Sequence, residues 1–126
     1  MNVKSYFDHL HFVGPQIDLD FVKGIVGDDD ATITELISMV RKSIPKYIDG
    51  INRYKFEGIN SENEREEFIT KVHNLKSNFR NVGAKNFAET LQIAEDCLHQ
   101  ENDEGIVWEA IMLIEKNLEL FEITKG

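Results

Sequence analysis

Ser61-Glu62-Asn63-Glu64-Arg65-Glu66-Glu67-Phe68-Ile69-Thr70-Lys71-Val72-His73-Asn74-Leu75-Lys76-Ser77-Asn78-Phe79-Arg80-Asn81-Val82-Gly83-Ala84 is the stretch that decides the fold. Its first four residues have the S-x-x-E form of a capping box, in which each end of the motif satisfies an amide of the other. Phe68, Val72, Leu75, Phe79 and Val82 then recur at helical spacing. Gly83 fits the left-handed position just past a helix end, which a larger residue occupies only at a cost. The spacing predicts one amphipathic helix that ends near Asn81.

The polar face of this helix is unusual. At about 100° per residue, with His73 set at 0°, Lys76 falls near 300°, Ser77 near 40° and Arg80 near 340°. The apolar set lies between about 180° and 260°, on the opposite side. The histidine is therefore expected to face solvent, among two cations and one small hydroxyl residue. Cations beside an imidazole favour its neutral, nucleophilic form. The arrangement suits a nitrogen that must carry a phosphoryl group.

Outward from this segment the chain is helical wherever it is periodic. Residues 1–17 read as an irregular or short helical lead broken at Gly14-Pro15. Asp18 to Val26 is expected to form a short helix stopped by Gly27. Asp28-Asp29-Asp30 supplies an N-cap and first-turn negative charge. The next helix carries Ile33, Leu36, Ile37, Val40, Ile44, Tyr47 and Ile51 and continues past Pro45, since the stripe resumes on the same face. Ala84 to about Gln100 repeats Phe87, Leu91, Ala94 and Leu98. Asn102-Asp103 is placed as the cap of a last helix bearing Val107, Ala110, Ile111, Ile114, Leu118 and Phe121. No stretch alternates as a strand does. Four amphipathic helices on short polar loops imply an all-α, up-down-up-down bundle over 18–126, preceded by a short extra helix at its start.

Bulk properties narrow the function. A net charge of −9 over 126 residues argues against nucleic acid and against an anionic membrane surface. The longest apolar run, Ala110 to Ile114, is far below the roughly 20 residues of a membrane span. Met1 to Leu10 shows no apolar stretch behind its lysine, so no secretory signal is expected. The single cysteine, Cys97, excludes an internal disulfide and fits a reducing cytosol. A cytoplasmic monomer is the expectation.

His73-Asn74-Leu75-Lys76-Ser77, with Gly83 ten residues after the histidine, resembles the histidine-containing phosphotransfer (HPt) domains of multistep phosphorelays. Phe87, Leu91, Ala94 and Glu95 on the next helix are similar to the family's second pattern. So are the Asp-rich start and the proline of the helix before the motif. The likeness spans about Ile17 to Phe121, although only its central segment is specific. Ser77 stands where the family more often has glycine.

The resemblance implies reversible phosphoryl transfer between His73 and an aspartate of a response-regulator receiver domain or a hybrid sensor kinase. Lys76 and Arg80 are then expected to meet the phosphoryl oxygens, Arg80 as a fork and Lys76 as a point charge. Ser77 leaves room for the incoming site. Glu95 is placed to accept the Nδ1 proton and leave Nε2 as the attacking atom. Ile69, Phe21 and Ile25 are candidate docking residues, although Phe21 and Ile25 serve equally well as caps on the bundle end. With no Gly-rich phosphate loop and no acid cluster of magnesium type, neither ATP binding nor autokinase activity is expected. No cofactor or resident metal is expected either.

Other residues invite blander readings. The pair His9 and His11 lacks acidic or cysteine partners at ligand spacing. His99 beside Glu95 and Asp96 lacks the second Glu-x-x-His element of a bundle metal site. Cys97 and Trp108 read as packing. Two further functions stay open: the phosphoacceptor domain of a chemotaxis-type kinase, and an interaction-only helical adaptor.

Overall fold

Five helices follow one another along the chain: α1 (Leu19–Val26), α2 (Asp30–Glu57), α3 (Glu62–Asn81), α4 (Lys85–Glu101) and α5 (Gly105–Ile123). The computed structural model describes residues 6–10, 12, 16–101 and 104–123, with side chains at 101 and 119–123 left aside. The Gly14-Pro15 break, His11, the Asn102-Asp103 cap and the Phe121 side chain lie outside the described residues. Among the described residues there is no strand, and no helix is long and apolar enough to cross a membrane.

The helix starts use the caps that their residues dictate. Asp18 accepts from the Phe21 amide, Asp29 from the Thr32 amide and Ser61 from the Glu64 amide. Such caps satisfy amides that have no partner inside the helix. At the α3 start the box is displaced by one residue: Glu64 accepts from the amide of Asn60 at 2.7 Å, not from that of Ser61. Pro45 sits inside α2 without ending it.

Each long helix packs on the next, and α5 returns to α2, so α2 to α5 form a four-helix bundle. Antiparallel direction is written in the contacts. Between α2 and α3, Tyr54 donates to Glu67 at 2.9 Å, while Lys71 lies beside Gly50. Between α3 and α4, the partners run His73 with Glu95, Lys76 with Gln92 and Phe79 with Phe87. Rising numbers on one helix meet falling numbers on the other.

The core follows the expected stripes. Phe68, Val72, Leu75, Phe79, Phe87, Leu91 and Leu98 are fully buried, and each such side chain contributes roughly 1.5–3 kcal/mol. On α2, Ile33, Val40, Ile44, Ile48, Ile51 and Tyr54 are buried, with Leu36, Ile37 and Tyr47 half-buried at the edges. Trp108 packs on Phe68 at 5.3 Å between ring centres, and Cys97 is buried. The lead segment joins the core where it is described: Phe7 and Ile17 are buried, and Phe12 meets Phe87 edge-on at 5.0 Å.

Gly83 positions α1. Its φ of 69° belongs to the left-handed region, and an added Cβ would stand 2.6 Å from the Asp18 Cβ and 3.2 Å from the Phe21 Cβ. Asp18 donates its backbone amide to the Val82 carbonyl at 2.9 Å. The α3–α4 turn and the start of α1 therefore touch backbone to backbone, and only glycine leaves room for it.

Candidate functional site

The α3–α4 hairpin carries the site on its outer face. His73 leaves the bundle wall because Val72 and Leu75 on either side of it in sequence turn inward and are fully buried. Its side chain is 56% exposed. Ring atom Nδ1 lies 3.3 Å from Oε1 of Glu95, which α4 presents from directly across the hairpin. In the neutral ring, an Nδ1–H donating to that carboxylate leaves the Nε2 lone pair free.

Glu95 is itself buried, 7% exposed, and its Oε1 receives a second donor, the ammonium of Lys76 at 3.0 Å. A buried carboxylate needs such compensation. Lys76 donates also to Oε1 of Gln92 at 2.9 Å, and the Gln92 amide donates onward to Asp96 at 2.9 Å. A polar chain thus runs from exposed His73 through Glu95, Lys76 and Gln92 to exposed Asp96.

This arrangement corrects the sequence expectation for Lys76. It does not share the open face with His73; it is only 4% exposed and spent on Glu95 and Gln92. A helical wheel treats a helix as if nothing faced it. At about 300° Lys76 stands on the edge of the stripe that α4 covers. The charged group nearest the imidazole is accordingly a carboxylate and not a cation.

Arg80 behaves differently. Two turns beyond His73, or about 10 Å along the axis, it is exposed and lines a shallow cavity with Phe21, Gly83, Lys85, Ala88 and Glu89. Its guanidinium makes no ion pair among the described residues. Ser77 is half-buried beside the site. Phe21 and Ile25 on α1 are 40% and 59% exposed, and Phe21 lies against Gly83 at the α3–α4 turn. Ile69 is half-buried against the core, one turn before His73. Gly83 lines the same cavity, and its missing side chain lets α1 bring Phe21 to it.

Gln92 is the site residue that sequence reasoning missed. An antiparallel hairpin turning at Gly83, with His73 opposite Glu95, puts Gln92 opposite Lys76, so the signal was present in the register. His9 approaches Glu89 at 4.0 Å on the surface, away from this chain of contacts.

Comparison with known proteins returned no match among protein-family models, curated proteins or solved structures.

Proposed function

We propose that this chain is a phosphocarrier in which Nε2 of His73 takes a phosphoryl group from a receiver-domain aspartate and passes it to another. The observation that carries the reading is the pairing of an exposed ring with a buried carboxylate at its Nδ1, 3.3 Å away. In the forward step the Nε2 lone pair forms the N–P bond as the P–O bond to the aspartate breaks. The aspartate leaves as carboxylate, and the proton on Nδ1 stays where it is. The ring becomes positive, and Glu95 is in place to stabilise that charge. The metal ion and the aspartate come from the partner.

Transfer of this kind has a loose transition state, so positioning and charge neutralisation do most of the work. Arg80 is a cation on the open face that can meet the partner's acidic site, with exposed Lys85 lining the same cavity, and Phe21, Ile25 and the exposed edge of Ile69 supply apolar docking surface. Lys76 acts indirectly, by neutralising Glu95. The cytoplasm is the compartment in which such relays would meet this chain.

One observation favours an interaction-only bundle instead. Lys76 has a sufficient structural role in its ion pair with Glu95, so its presence does not by itself require a phosphoryl group. Mixing the protein with a panel of radiolabelled, phosphorylated receiver domains separates the two. The phosphocarrier yields an acid-labile, alkali-stable adduct that His73→Gln abolishes. An adduct that survives in His73→Gln, or no transfer from any receiver, contradicts it.

A further inference from the structure

We propose that Gln92 is a positioning residue: by accepting from the Lys76 ammonium it keeps that ammonium on Glu95, and so keeps Glu95 where it holds the Nδ1 proton of His73. Lys76 is nearly sealed from water and has only donors to offer, so its ammonium needs acceptors within the protein. The acceptors observed are Oε1 of Glu95 at 3.0 Å and Oε1 of Gln92 at 2.9 Å.

The Gln92 amide has one workable orientation. Its carbonyl faces a donor-only ammonium and its NH2 faces Oδ1 of Asp96 at 2.9 Å, which accepts only. Turned over, it would set donor against donor and acceptor against acceptor. Asp96 therefore locks Gln92, and Gln92 locks Lys76. Without the Gln92 carbonyl, the ammonium regains a hydrogen bond most cheaply by moving toward water. Glu95 is then a buried carboxylate without its counter-charge, and it too is drawn from the ring. His73 loses the acceptor that fixes which nitrogen is protonated.

The test uses the full chain and the variants Gln92→Met, Gln92→Glu and Asp96→Ala. Met keeps the length and removes the acceptor, Glu restores an acceptor, and the Asp96 change lies on the surface. Nitrogen-15 NMR at alkaline pH, with the ring neutral, reads the fraction of His73 carrying Nδ1–H. That fraction dominates in the parent protein and in Gln92→Glu, falls toward an even mixture in Gln92→Met, and falls less in Asp96→Ala. A Gln92→Met protein that melts earlier but keeps the parent tautomer overturns the proposal, because Gln92 then only packs. So does a Gln92→Glu protein that behaves like Gln92→Met.

The kinetic arm rests on His73 as phosphoacceptor: phosphoramidate labelling slows by about threefold to tenfold in Gln92→Met. An unchanged labelling rate alongside a changed tautomer also overturns the positioning role. If the tautomers respond as stated while no protein, the parent included, is labelled, the positioning role stands and the phosphocarrier reading fails.

Discussion

Lys76 and Arg80 sit one turn apart on the same helix, carry the same charge, and have opposite fates. Lys76 is buried and tied to Glu95 and Gln92, while Arg80 is exposed beside a cavity. The helix that bears them does not make the difference. Across the hairpin Lys76 meets a buried carboxylate and an amide, whereas Arg80 lines an open cavity with Ala88, Lys85 and Glu89 and pairs with no acid among the described residues. The role of a charged residue on a bundle is thus set by the residue that faces it. One cation is held inside the hairpin by an ion pair, and the other stays exposed on its surface.

The strongest challenge to this contrast is to remove the buried cation. Lys76→Met leaves Glu95 buried without compensation and should cost about 3 kcal/mol in urea unfolding. The double change Lys76→Met with Glu95→Gln should recover part of that loss, since it removes both charges. A single variant as stable as the parent would mean that the ion pair contributes nothing and that Lys76 is free to face a phosphoryl group.

Next in size is the turn end of the same hairpin. Gly83→Ala forces a side chain into a left-handed conformation and into contact with Asp18, at a cost of about 2 kcal/mol. Because the clash is with α1, amide exchange in Leu19–Val26 should speed up more than in α4. Uniform loss of protection would show that Gly83 serves the hairpin alone.

The smallest stability effect belongs to Arg80. Arg80→Ala should shift unfolding by less than about 0.5 kcal/mol, as surface substitutions do. Transfer from a phosphorylated receiver should nevertheless slow severalfold, with labelling by phosphoramidate unchanged. Equal slowing with both donors would place Arg80 at the chemistry itself and not at docking.

Much of the fold was legible because its signals are local. Ser61, Asp29 and Gly83 mark helix ends through bonds and dihedrals that involve neighbouring residues only. The apolar stripes needed no knowledge of what they pack against. His73 was legible for the same reason: its exposure follows from the burial of Val72 and Leu75 beside it. What escaped is what depends on register between helices. The burial of Lys76 and its bond to Gln92 are set by relative placement, which periodicity within one segment does not encode. Glu95 was named from a pattern, and the hairpin register supplies the physical reason for it.

The proposed phosphocarrier chemistry requires Nε2 of His73 to be the free nitrogen, with Nδ1 held by Glu95. The most direct measurement treats nitrogen-15-labelled protein with phosphoramidate and follows the nitrogen and phosphorus spectra of the product. A single adduct with phosphorus on Nε2 of His73 is expected. An adduct on Nδ1, an adduct on another residue, or an unmodified His73 would contradict it.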